Sequence, residues 1–231
     1  MFVPFFDIKY LIFSIPAIAV GVIASLLLKY WTSKYSRQEN LTRLSGVDAV
    51  ERIARKENLS VRLEVNSGNL TDHYDPRNQT ISLSRDVAQL ASIASVAIAA
   101  HEMGHAIQHQ KGSVLMSFRN LIVPMVNIGT NIGYFLLIIG IIIGLSGLAW
   151  FGIILFSFAT IFSLLTLPIE LDASRRALNI IKSENLLLPS EMGGANKVLL
   201  AAALTYVAAT LQSVGSLLYF VLRVQGMSRK E

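Results

Sequence analysis

The sequence predicts a mainly α-helical, multi-pass membrane bundle that carries a small cytoplasmic layer of helices and strands. Three observations point there. Hydrophobic residues make up 53% of the 231 positions and charged residues only 15%, well below the roughly 25% charged of a soluble domain. Four stretches approach the roughly 20 apolar residues that cross a bilayer: about Tyr10–Leu28, Leu121–Leu145, Leu148–Leu167 and Val198–Leu222. Between the first two lies a segment, about 32–112, with the charges and turn residues of a folded aqueous layer. The whole is read as one domain, 1–231.

The first stretch is N-terminal and apolar like an export signal, but Leu26-Leu27-Leu28-Lys29-Tyr30-Trp31 follows it with no small-residue cleavage site, so it reads as an uncleaved anchor. Basic residues set the orientation. Twelve Lys or Arg lie from Lys29 to Arg119, four more from Glu170 to Lys197, and none between the second and third stretches. Both basic segments are therefore expected on the cytoplasmic side. Arg223, Arg229 and Lys230 argue the other way for the tail, which leaves a re-entrant last helix as the alternative to four full crossings. The net charge of +5 belongs to these flanking segments and gives no reason to expect nucleic acid as a partner.

Within the layer, Ser45–Asn58 reads as an amphipathic helix, with Val47, Val50, Ile53 and Ala54 in one stripe among Asp48, Glu51, Arg52, Arg55 and Lys56. The period then changes to two. Val61, Leu63 and Val65 alternate with polar neighbours, as do Ile81 and Leu83, which predicts two strands joined by turns. From Val87 to Ala100 the chain is apolar or small apart from Gln89, and it runs without Pro or Gly into His101. At about 14 residues it is too short for a crossing and reads as a single buried helix.

That helix carries His101-Glu102-Met103-Gly104-His105, two of the chain's four histidines. Residues four apart sit one turn up and about 40° round the axis, so both imidazoles can reach one Zn²⁺ at about 2.0–2.1 Å. Glu102 points beside the pair, where its carboxylate can accept a proton from an attacking water instead of binding the metal. This is the chemistry of amide hydrolysis on a zincin-like layer. In such layers an edge strand often receives an extended peptide, and Gln79–Ser84 is the candidate edge.

A catalytic zinc site adds a third protein ligand and leaves a position open. The chain has no cysteine, so that ligand is His or carboxylate. A third histidine in the extended motif would stand at 111, which is Lys111. His109 lies two turns from His101, too far along a straight helix, and is better explained by packing at the helix end. Glu170 is favoured. It lies at the end of the third stretch, two crossings after His105, and so returns to the motif's side of the membrane; the alternative is an interfacial Glu paired with Arg175 or Arg176. Asp172, two residues on, is a candidate for support behind a histidine.

Three segments together resemble the bacterial YugP-type neutral zinc metallopeptidases: Asp72-His73-Tyr74-Asp75-Pro76, His101 to Gln108, and Pro168-Ile169-Glu170-Leu171-Asp172-Ala173-Ser174-Arg175-Arg176-Ala177. The likeness covers nearly the whole chain. The last segment is also similar to the E-x-x-A-D-x-x-A motif of the more distant HtpX and CAAX prenyl protease group. There the first Glu is the third zinc ligand, which implies that role for Glu170. Where that motif has Asp this chain has Ser174, so the supporting carboxylate expected there is missing. His73 lies beside Asp75-Pro76, and a turn-stabilising role is expected ahead of one in oxyanion binding.

The expected function is a Zn²⁺-dependent endopeptidase of the bacterial cell (inner) membrane. Its active site would face the cytoplasm, with polypeptides in or near the bilayer as substrates. Metal ligands are His101, His105 and Glu170, and the general base is Glu102. Nothing in the sequence sets the oligomeric state. Two alternatives come from other classes: a non-catalytic zinc-binding scaffold or chaperone, and a transporter suggested by Asn127, Asn131, Gly129, Gly133, Gly140 and Gly144. The first leaves Glu102 without a purpose. Against the second, the stretches hold almost no ionisable residues, and small residues at these intervals are packing surfaces.

Overall fold

A computed structural model describes residues 7–68 and 71–228. Arg229 and Lys230, invoked above for the tail, lie outside the described residues. In chain order the elements are α1 (Ile8–Ser36), α2 (Gly46–Glu57), β1 (Arg62–Asn66), β2 (His73–Asp75), β3 (Thr80–Ser84), α3 (Arg85–Gln89), α4 (Ile93–Gln110), α5 (Val114–Ile128), a π-helical turn (Gly129–Gly133), α6 (Tyr134–Ile143), α7 (Ser146–Ser183) and α8 (Met192–Ser228). The protein is mainly helical with one small sheet. Among the described residues, four helical rods are long and apolar enough to cross a membrane: α1, α5 to α6, α7 and α8. They extend past the apolar stretches seen in sequence. At 1.5 Å per residue the 38 residues of α7 span about 57 Å, nearly twice the roughly 30 Å hydrocarbon layer. α7 therefore has turns to spare for the polar run from Glu170 to Arg176. α8 is unbroken through its 37 residues.

The chain divides into two compact units, and α1, α5, α7 and α8 contribute to both. One unit gathers Ala24–Met116 and Ile169–Ala203. Its core is α4, covered by α2, the sheet and the later turns of α7, with Ile53, Ile81, Leu83, Val96, Met103 and Ile181 all fully buried. α2 forms where expected, because a capping box between Ser45 and Asp48 starts it and Asn58 in the left-handed region ends it.

Two expectations are corrected here. The run from Val87 into His101 is two helices: α3 stops at Gln89, Leu90 turns extended, and Ser92 caps α4 by accepting from the Ser95 amide. An apolar run hides this break, since Ser92 looks like an interruption of one helix although it opens the next. The second correction concerns Gln79–Ser84, which is not an edge. β3 lies at the centre of a three-stranded sheet, ordered β1-β3-β2, parallel to β1 and antiparallel to β2. All five of its residues are buried. The missing partner was β2, only three residues long and too short to show an alternation. The sheet's open edges belong to β1 and β2.

The other unit holds the early part of α1, most of α5 to α6, α7 up to Pro168, and the later part of α8. Small residues let its rods approach closely. A Cβ at Gly133 would fall 2.8 Å from the Leu155 side chain, one at Gly140 would fall 2.5 Å from the Ala149 amide, and one at Gly129 would run into the Leu155 carbonyl. These glycines are packing surfaces, as expected. Gly144 differs: at φ +76° it ends α6. Ile12, Phe135, Ile154 and Leu211 point outward, an apolar surface that suits a lipid environment.

Candidate metal centre

α4 is buried along nearly its whole length. From Ile93 to His109 only Ile98, His101, His105 and His109 are partly exposed. They succeed one another by three or four residues, so they form one open stripe on an otherwise enclosed rod. Two of the four meet a carboxylate delivered by α7. Glu170, itself 5% exposed, places Oε2 at 3.2 Å from His101 Nε2 and 3.5 Å from His105 Nε2. One candidate ligand atom from each residue lies within 4.8 Å of the others, a group that could hold a metal ion.

The donor set suits zinc. Metal–ligand bonds of about 2.0–2.1 Å in tetrahedral array separate neighbouring ligand atoms by about 3.3 Å. The two Nε2 to Oε2 distances bracket that edge. Each imidazole also has a partner for its other nitrogen. Ser174 Oγ is 3.2 Å from His101 Nδ1, and Gln108 Oε1 is 3.0 Å from His105 Nδ1. With Nδ1 engaged, each ring is held with Nε2 turned toward Glu170, where its neutral form can offer a lone pair to a cation. Two histidines and a carboxylate leave room for a fourth ligand, as a catalytic site requires.

Charge around the group is balanced by burial. Burial pushes the Glu102 carboxyl above its ordinary range, His101 and His105 pull it back, and the charges of Glu170 and Asp72 add to the rise. For His105 burial acts downward, but its contact with Glu170, the charges of Glu102 and Glu170 and the Gln108 oxygen together raise it. Metal binding needs the neutral imidazole and so competes with protonation there.

Gly104 explains how α4 and α7 come close enough. A Cβ there would stand 2.7 Å from the Ala173 carbonyl oxygen and 3.2 Å from its Cα. Backbone cannot yield as a flexible side chain does, so the helices would have to separate. Gly104→Ala is therefore expected to destabilise the protein by about 1–3 kcal/mol and to lower the metal bound per chain. Unfolding midpoint and metal content of the purified variant check both.

The remaining sequence candidates fall elsewhere. His109 accepts or donates a 2.8 Å bond with the Tyr74 hydroxyl of β2, a helix-end role. His73 Nδ1 meets the Thr71 carbonyl at 2.8 Å, consistent with stabilising the local turn. Glu170 meets His101 and His105 and, among the described residues, no arginine; Arg176 instead donates to Asp172 Oδ2 at 2.7 Å. Asp172 touches neither histidine directly. It accepts at 2.8 Å from Gln108 Nε2, which also donates to the Ile169 carbonyl at 2.9 Å. Gln108 and Ser174 are the contributors that sequence reasoning missed. A usable signal existed for the first: a polar residue on a buried helix, three positions after a ligand, must find partners.

Four rods apolar enough to cross a membrane and a largely enclosed His, His, Glu group are what a membrane zinc peptidase requires, and the chain belongs to the family described as "putative neutral zinc metallopeptidase", whose profile matches residues 10–225. It is similar to a protein of Bacillus subtilis (strain 168) described as "Putative membrane protease YugP". The two are 42% identical over 209 residues, which cover 87% of this chain and 93% of the relative. No solved structure matches the chain.

Proposed function

We propose that the protein is a zinc-dependent endopeptidase of the bacterial cell (inner) membrane. In this reading 1–231 is one metallopeptidase domain with a zincin-like layer facing the cytoplasm. His101, His105 and Glu170 hold the ion, Glu102 is the general base, and polypeptides in or beside the bilayer are cut. The observation that carries the proposal is the convergence of two imidazole Nε2 atoms on one Glu170 oxygen at tetrahedral-edge distances. Orientation is supported by the basic residues from Lys29 to Arg119 and from Glu170 to Lys197.

Bound zinc would supply a water acidified toward a pKa of about 7 and a polarised substrate carbonyl. The chain's own groups do the rest. Glu102 is a carboxylate whose proton affinity is raised by burial, so it can take the attacking water's proton and later give it to the departing amine. His101 and His105 bind as neutral imidazoles, oriented by Ser174 and Gln108 at their other nitrogens. For an extended substrate, the open edge of β2 lies beside α4, to which Tyr74 is tied through His109.

A non-catalytic scaffold is disfavoured because it would bury Glu102 next to the ligand group at a desolvation cost with no return. The direct test uses purified full-length protein in detergent or lipid discs. One zinc per chain and hydrolysis of a quenched peptide are expected, with activity removed by chelation and restored by stoichiometric Zn²⁺. Metal-free protein of unchanged activity would refute the reading.

A further inference from the structure

We propose that Gln108, backed by Asp172 and Arg176, is a positioning residue that locks His105 in its Nδ1–H tautomer and so keeps Nε2 free for the metal; this rests on the zinc reading above. The end of the Gln108 amide that faces the histidine decides the tautomer. Its nitrogen has two neighbours that can only accept: the Ile169 carbonyl at 2.9 Å and the Asp172 carboxylate at 2.8 Å. Turning the amide over would set its oxygen against both. The nitrogen is thus fixed toward α7, and the oxygen is left facing His105 Nδ1 at 3.0 Å. An amide oxygen accepts only, so Nδ1 must carry a proton, and in the neutral ring Nε2 then presents its lone pair.

Asp172 holds this arrangement because it is kept anionic and in place by Arg176 Nε at 2.7 Å. Gln108 is 2% exposed, so no water competes for the amide. His101 has no such lock. Its Nδ1 partner is the Ser174 hydroxyl, which can donate or accept and therefore satisfies either tautomer. The two histidines of the motif are thus held differently: one by a directional chain of four residues, the other by a permissive hydroxyl.

The test is a double-mutant cycle on zinc affinity, measured by chelator competition on full-length protein, with the unfolding midpoint of each metal-free variant recorded beside it. Gln108→Met is expected to weaken zinc binding by roughly 10- to 100-fold and Asp172→Asn by about tenfold. Because Asp172 acts through Gln108, the double variant should bind no more weakly than Gln108→Met alone. A merely structural role would lower the metal-free midpoint and give additive losses of affinity. Wild-type affinity in either single variant, or additivity in the double, overturns the lock while leaving the zinc reading intact. A wild-type protein that binds no zinc overturns the zinc reading itself. Should Gln108→Met fail to fold, Asp172→Asn carries the test, since the Asp172 side chain is 38% exposed and tolerates exchange.

Discussion

Exchange of Glu102 for Gln should lower kcat/KM for peptide hydrolysis about 100- to 10,000-fold, with one zinc per chain retained. That range is the usual contribution of a positioned general base, about 3–5 kcal/mol of activation free energy. The reason lies in charge and shape. Gln has the volume of Glu but cannot take a proton, so the geometry at His101 and His105 survives and only proton transfer is removed. Glu102 is 8% exposed, and its burial disfavours the charged form. Making the site neutral should therefore leave the unfolding midpoint of the metal-free protein unchanged or raise it. Persistent hydrolysis would remove Glu102 as the base. Loss of zinc with loss of activity would instead make it part of the ligand set.

Glu170→Ala is expected to abolish stoichiometric zinc binding and, with it, hydrolysis. Only two imidazoles would remain, both on α4, and α7 would contribute no donor. Removing a direct ligand should exceed the roughly 10- to 100-fold loss typical of a supporting residue. Chelator competition and metal analysis of the purified variant give the number. Binding at wild-type strength would point to a different third ligand, with Asp172, two residues on, as the first alternative. The Glu102→Gln and Glu170→Ala variants should thus separate cleanly, one inactive with metal and the other inactive without it.

Much of this arrangement was legible because its signals are periodic or topological. The α2 stripe announces itself through Val50 and Ile53, and the histidine pair through its spacing of four. Glu170 could be singled out because an ionisable group at the end of an apolar stretch, two crossings after the motif, has few other reasons to be there. What stayed hidden depends on contacts between distant residues or on very short segments. β2 spans only His73 to Asp75, so β3 seemed to lie at an edge when it is central. Ser92 has the composition of a weak point in a helix and the function of a cap. Ser174 looked like the loss of a supporting carboxylate, yet its hydroxyl reaches His101. Asp172 touches neither histidine, and its contact with Gln108 could be seen only once α4 and α7 were side by side.

The histidine pair and the acid that completes the group lie far apart along the chain, with 69 positions separating His101 from Glu170. At about 5–20 residues per second of translation, a ribosome needs roughly 3–14 s to travel from one to the other. Throughout that interval the nascent polypeptide displays an unfinished cage with two donors and no closing arm. On the proposed reading, hydrolytic power is therefore withheld during biogenesis until the hairpin of rods between them has been made, a delay timed by the order of the elements alone.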